Sequence, residues 1–194
     1  AMRRAIALAA LLAVVSGLAL LWLAFGTGAF SSTVIFIVLG AAAIGAAITY
    51  TAGKMPYGYA GFGDLAVLVF FGWVGVIGSY FVQTGRFTAS LLLPATACGL
   101  LAVAVLNVNN IRDMDSDRLA GKRSLPVRLG LRRARSYHWA LLVSATLLAA
   151  VYCLVQFTSL WQFLFLLATP ALYRNGAAIS RTEALPTLNP WLKQ

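Results

Sequence analysis

Charge is scarce in this sequence, and negative charge above all: of 194 residues only five are Asp or Glu, and charged residues of both signs amount to 10%. Soluble domains carry about 25% charged residues, so a water-solvated globule is excluded as the basic design. Cysteine is limited to Cys98 and Cys153, both inside apolar stretches and without metal-ligand spacing, which leaves a disulfide or zinc framework nothing to build on. They read as packing residues. His138 is the single histidine. No serine or cysteine nucleophile constellation, Walker loop or dinucleotide fingerprint occurs.

What is abundant is apolar mass: 61% of the residues are hydrophobic and the mean hydropathy is +0.85. It comes in long blocks rather than at the alternating or 3.6-residue spacing of amphipathic elements, and a block near 20 residues matches the ~30 Å hydrocarbon thickness of a bilayer. Six such blocks, at 5–25, 33–50, 65–82, 88–106, 137–154 and 160 to about 173, predict an all-α polytopic transmembrane helix bundle in a single domain over 1–194. The sixth is short and contains Pro170. Two arginines precede the first block as in a signal peptide, but its apolar run exceeds the usual h-region of about 7 to 15 residues, so it reads as a retained helix.

Basic residues are distributed unevenly over the connections. Arg3, Arg4, Lys54, the eight from Arg112 to Arg135, Arg174, Arg181 and Lys193 lie in alternate connections or at the ends, whereas Arg86 stands alone on the other side. By the positive-inside rule this fourteen-to-one asymmetry places both termini and the loops 50–64 and 107–136 in the cytoplasm of a multi-pass plasma-membrane protein. The net charge of +10 sits at the edge of a hydrophobic body, where topology and anionic lipid headgroups account for it, and no nucleic-acid partner is expected.

Three of the five acids, Asp113, Asp115 and Asp117, fall within five residues. Carboxylates this close repel one another unless a cation or neighbouring arginines compensate them, and charge beside a bilayer is a functional candidate by default. On a helix, Asp113 and Asp117 share one face with Cβ atoms about 5–6 Å apart, while Asp115 leaves the opposite side. Two hard oxygen ligands suit Mg²⁺, which takes one or two carboxylates and fills its remaining positions with water and phosphate oxygens. Asn110, one turn earlier, can add a ligand or hold a metal-bound water.

Arg118, Lys122, Arg123 and Arg128 follow directly, and guanidinium forks and a lysine point charge are what a metal-bound diphosphate requires. The bland reading stays open beside this one: a solvated loop whose arginines obey the positive-inside rule and whose aspartates balance them. On the same membrane face the glycine-rich loop from Tyr50 to Asp64 presents Lys54, Tyr57, Tyr59 and Asp64. Its tyrosines read either as substrate contacts or as interfacial anchors, and Asp64 either as a site residue or as a partner of the following helix's dipole. His138 reads as an interfacial residue.

At these two loops the sequence resembles the UbiA superfamily of intramembrane prenyltransferases, and within it the branch acting on 1,4-dihydroxy-2-naphthoate. The carriers are Asn109-Asn110-Ile111-Arg112-Asp113-Met114-Asp115-Ser116-Asp117-Arg118, then Ala120-Gly121-Lys122-Arg123-Ser124-Leu125 and Val127-Arg128-Leu129-Gly130, which look like the family's second aspartate-rich motif and its basic continuation. The Tyr-Thr-x-Gly start and Gly-x-Gly-Asp end of the loop from Tyr50 to Asp64 look like that branch's own signature.

The resemblance implies a nine-helix bundle in which two aspartate-rich motifs hold Mg²⁺ against a polyprenyl diphosphate. It also implies prenylation of dihydroxynaphthoate to demethylmenaquinone, with loss of diphosphate and CO₂. Asp113 and Asp117 would then be metal ligands and catalytic groups, with Asn110, Arg118, Lys122, Arg123, Arg128, Lys54, Tyr57, Tyr59 and Asp64 binding substrate. The six blocks correspond to the third through eighth helices of that fold, and no match to the first motif, Asn-Asp-x-x-Asp, occurs in these residues. On this reading the stretch carries half a metal site and is not expected to catalyse transfer by itself. Another aromatic prenyltransferase of the same superfamily and a non-catalytic lipid-binding protein of the same fold are the alternatives.

Overall fold

The computed structural model describes residues 2–53 and 56–181, and among them every regular element is helical. Two long helices, α1 (Met2–Phe25) and α2 (Phe30–Thr51), open the chain. A third long helix, Gly63–Thr84, is composite: α3 (Gly63–Val67), a π-helix (Leu68–Ile77) and α4 (Gly78–Thr84), closed by Gly85 at φ 66°. A 3₁₀ turn (Ala89–Leu91) leads into α5 (Leu92–Arg112). Two short helices, α6 (Met114–Leu119) and α7 (Leu125–Leu129), precede α8 (Leu131–Val155). A 3₁₀ helix (Leu160–Ala168) and α9 (Thr169–Arg181) complete the described chain.

Five of these, Ala7–Phe25, Phe30–Thr51, Gly63–Thr84, Ala89–Arg112 and Leu131–Val155, are long and apolar enough to cross a bilayer. The sixth expected block is split instead. Its first half winds as 3₁₀ behind a capping box of Ser159 and Gln162, and the α-helix starts only at Thr169. Pro170 sits in that first turn, where its missing N–H costs no helical hydrogen bond. The fifth block also starts earlier than its apolar residues do: α8 begins at Leu131, one residue after Gly130 at φ 76°, and runs through Arg132, Arg133 and Arg135. Long basic side chains permit this, because their stems lie along the helix while their charges reach the headgroups.

The core lies between α5 and α8. Val103 and Ala104 pack on Leu141 and Leu142, and nearer one end Val108 and Ile111 pack on Ala134 and Ile179. On its other side α5 meets the π-helix at a glycine crossing, where a Cβ on Gly72 would stand 2.7 Å from the Ala95 carbonyl and 2.9 Å from the Gly99 Cα. Trp73 Nε1 donates to Thr96 Oγ1 across the same contact at 2.9 Å. With no water in the hydrocarbon region, such a polar group must find a partner within the protein.

The spanning windows of α1 and α2 bury no residue, and Leu23 and Phe30 are 82% and 79% exposed. Surface this apolar is suited to lipid chains rather than water. A ring cluster of Phe25, Phe36 and Phe81 ties α1, α2 and α4 together, with centroids 5.5 to 6.2 Å apart. An apolar groove of about 1050 Å³ beside it is lined by Leu18, Leu21, Ile44, Val82 and Gln83 among others, and none of the aspartate-segment residues reaches it. Of the two cysteines only Cys153 packs in the interior, its Sγ 3.4 Å from the Gln162 carbonyl, while Cys98 is exposed.

Candidate active site: the aspartate segment and its two loops

The end of α5 delivers the first polar residues. Asn107 and Asn110 are buried, at 0% and 5% exposure, and Asn107 Nδ2 donates to the Ala134 carbonyl of α8 at 3.2 Å. The helix stops at Arg112, because Asp113 adopts φ −94°, ψ 7°, and α6 begins at the next residue. The amide of Asp117 nevertheless donates to the Asp113 carbonyl at 2.8 Å, so the two aspartates stay one turn apart across the break. The break between two helices, not a continuous helix, carries the pair.

Each aspartate has a cation. Arg112 grips Asp113 bidentately, Nε to Oδ1 at 2.7 Å and Nη2 to Oδ2 at 2.8 Å. That hydrogen bonding holds the Asp113 carboxyl below the usual carboxylate range against the opposing effect of burial, and the charges of Arg112 and Lys122 pull the same way. Asp117 is 8% exposed. Lys122 Nζ donates to its Oδ1 at 3.2 Å and lies 3.0 Å from Oδ2, while the Lys122 amide donates to the Asp117 carbonyl at 2.8 Å. Asp117 Oδ2 is buried and accepts no hydrogen bond. Asp115 stands apart, its side chain 80% exposed and 3.8 Å from Arg118, whose side chain is 61% exposed.

No group of three or more His, Cys, Asp or Glu side chains able to hold a metal occurs among the described residues. A divalent ion of the Mg²⁺ kind does not need three: one or two carboxylates suffice when phosphate and water complete the shell. The buried Asp117 oxygen with unused lone pairs, one turn from Asp113, fits that donor set.

The glycine-rich loop folds back on the end of α2. Tyr57 and Gly58 donate their amides to the carbonyls of Thr49 and Tyr50, each at 3.2 Å. Only glycine fits at position 58, since a Cβ there would stand 2.6 Å from the Tyr50 carbonyl. Tyr57 packs edge-on against Tyr50 at 5.4 Å, and burial together with that neighbour raises the pKa of its phenol.

The same loop meets the basic segment. The Arg123 amide donates to the Tyr59 carbonyl at 2.9 Å, Arg128 Nη2 donates to the Ala60 carbonyl at 2.5 Å, and Arg128 Nε donates to the Arg123 carbonyl at 3.1 Å. Asp64, in the first turn of α3, accepts from the Tyr137 hydroxyl of α8 at 2.9 Å.

The fold therefore brings Asp113, Asp117 and Lys122 together, and separately joins Tyr59 and the loop to Arg123 and Arg128. Lys54 lies outside the described residues. His138 is not interfacial as its position suggested: it is 1% exposed, with Nε2 2.9 Å from Asn175 Oδ1 of α9. Tyr137 and Ser124, the latter 2% exposed with an unbonded hydroxyl, are polar residues of the region that sequence reasoning passed over. Residue type alone marks neither, because Ser124 is set apart by its burial and Tyr137 by a partner 73 residues away.

Five spanning helices with an acid and base cluster where α5 and α6 meet define a polytopic membrane protein that can gather an anionic ligand at one end of its bundle. The chain belongs to the UbiA prenyltransferase family, whose sequence profile matches residues 2–185. It is 47% identical over 193 residues to 1,4-dihydroxy-2-naphthoate octaprenyltransferase of Escherichia coli (strain K12), covering all of this chain and 62% of that protein. The enzyme of the same name from Haemophilus influenzae is 46% identical over 159 residues, 82% of this chain and 52% of its own length. That of Mycobacterium tuberculosis is 41% identical over 157 residues, 81% and 53% respectively. The chain thus spans between about half and 62% of the length of these relatives. No solved structure gives a significant match.

Proposed function

We propose that the chain takes part in transferring a polyprenyl group from polyprenyl diphosphate to 1,4-dihydroxy-2-naphthoate, giving demethylmenaquinone in its reduced, quinol form, diphosphate and CO₂. The observation that carries this is the buried Asp117 carboxylate, one turn from Asp113, with one oxygen met only by the ion pair with Lys122. The naphthoate prenyltransferases among its relatives support the choice of acceptor.

Asp113 and Asp117 would hold a divalent ion, most simply Mg²⁺, with Asn110 behind them. Bound there, the ion offsets the negative charge that gathers on the departing diphosphate. Lys122, Arg118 and Arg123 supply point charge and guanidinium forks to its oxygens, acting most strongly as the allylic C–O bond breaks. The electron-rich ring then forms the new C–C bond, and its carboxylate leaves as CO₂. Tyr57, Tyr59, Asp64 and, by its place in the sequence, Lys54 flank the route of this acceptor. A site walled by apolar helices would keep water from the allylic cation. The basic asymmetry of the loops supports a cytoplasmic face of the plasma membrane for the site.

Membranes carrying the complete protein, supplied with Mg²⁺, labelled polyprenyl diphosphate and dihydroxynaphthoate, provide the test. Asp117→Asn should lower turnover about 100-fold, the scale of losing one electrostatic stabiliser. Asp115→Asn should stay within about threefold, because its exposed ion pair contributes little. Full turnover in Asp117→Asn, or equal losses at both positions, would overturn the assignment.

A further inference from the structure

Arg128 lies in the basic cluster, yet two of its donors, Nε and Nη2, point at the backbone. A guanidinium offers five N–H groups in a planar fork. Nε and Nη2 of Arg128 reach the carbonyls of Arg123 and Ala60, which belong to two different loops. Beside them the Arg123 amide donates to the Tyr59 carbonyl. Gly61 comes so close that a Cβ would stand 2.7 Å from the Arg123 carbonyl and 3.1 Å from Arg128 Nε, and its φ of +81° also favours glycine. Three consecutive loop residues are therefore seated on one turn of the basic segment. That turn begins at Lys122, the partner of Asp117.

We propose that Arg128 is a positioning residue: it clamps the 59–61 loop onto the Lys122 and Arg123 turn, fixing Tyr57 and Tyr59 relative to Asp117, and does not bind diphosphate itself. The functional part of this rests on the prenyl-transfer reading above. The clamp itself does not.

Arg128→Gln removes the fork, Arg128→Lys keeps the charge without the fork, and Gly61→Ala pries the loop off while leaving the guanidinium intact. All three should speed amide hydrogen exchange at 57–62 by about tenfold, the worth of one charge-assisted hydrogen bond, with protection in α5 and α8 retained. All three should raise the KM for the aromatic acceptor alike, and leave the affinity for Mg-pyrophosphate, measured by calorimetry, unchanged.

Two results overturn the proposal. One is weaker pyrophosphate binding in Arg128→Gln that Arg128→Lys restores and Gly61→Ala does not share, which would make Arg128 a phosphate ligand. The other is unaltered loop exchange in all three variants. Should the complete wild-type protein fail to prenylate dihydroxynaphthoate, the reaction assignment falls, while the exchange and pyrophosphate measurements still decide the clamp.

Discussion

Lys122 and a divalent cation compete for the same carboxylate. The ammonium contacts both oxygens of Asp117, at 3.2 and 3.0 Å, and both side chains are largely buried, at 19% and 11% exposure. An ion entering between Asp113 and Asp117 has to displace it, and the released lysine is then free to meet a phosphate oxygen. Lys122→Met should accordingly tighten Mn²⁺ binding without diphosphate by about tenfold, given the 1.5–3 kcal/mol scale of hydrogen bonds to charged groups, and weaken pyrophosphate binding. Paramagnetic resonance of Mn²⁺ titrated into the purified protein reads the first, and looser Mn²⁺ binding would refute the competition. Asp113, Asp117 and Lys122 were legible in the sequence because they lie within ten residues and their contacts are local. Asp64 with Tyr137 and Arg128 with Ala60 were not, being 73 and 68 residues apart, and no periodicity encodes such partners.

Among the elements, the crossing of the π-helix with α5 tolerates the least change. A Cβ at Gly72 or Gly99 would meet backbone or Leu68 at 2.7 Å, so Gly72→Val must force the helices apart and strain the Trp73 to Thr96 bond. The expected loss is about 1–3 kcal/mol, the usual cost of overpacking. Gly40→Ala in α2, with nothing within 4 Å, should be neutral or slightly stabilising through helix propensity. Thermal unfolding of both variants in one detergent makes the comparison, and equal midpoints would show that the crossing is loose. The sequence located the first four spanning helices because uninterrupted apolar length is what the bilayer demands. It misplaced the start of α8 and the form of the sixth block, since apolarity does not report where a helix carries on through arginines or narrows to 3₁₀ geometry.

For the whole molecule, the class of protein was legible from composition alone, whereas the packing that leaves α1 and α2 at the margin of the core was not: their residues are as apolar as those of α5. The loop asymmetry predicts one orientation. In a protein without its native cysteines, Asp115→Cys, at an 80% exposed side chain, should react with an impermeant maleimide in inverted vesicles and stay silent in right-side-out cells. Reaction from outside would reverse the topology. The first turn of α8 adds a different consequence. Arg132 and Arg133 are exposed there and no acidic residue accompanies them, so two cations crowd the positive pole of the helix, each unfavourable by about 0.3–1 kcal/mol. Headgroup phosphates relieve that repulsion only while the chain is folded with this turn at the interface. The stability of the bundle is therefore expected to rise with the mole fraction of anionic lipid around it, which unfolding in vesicles of graded lipid composition would measure.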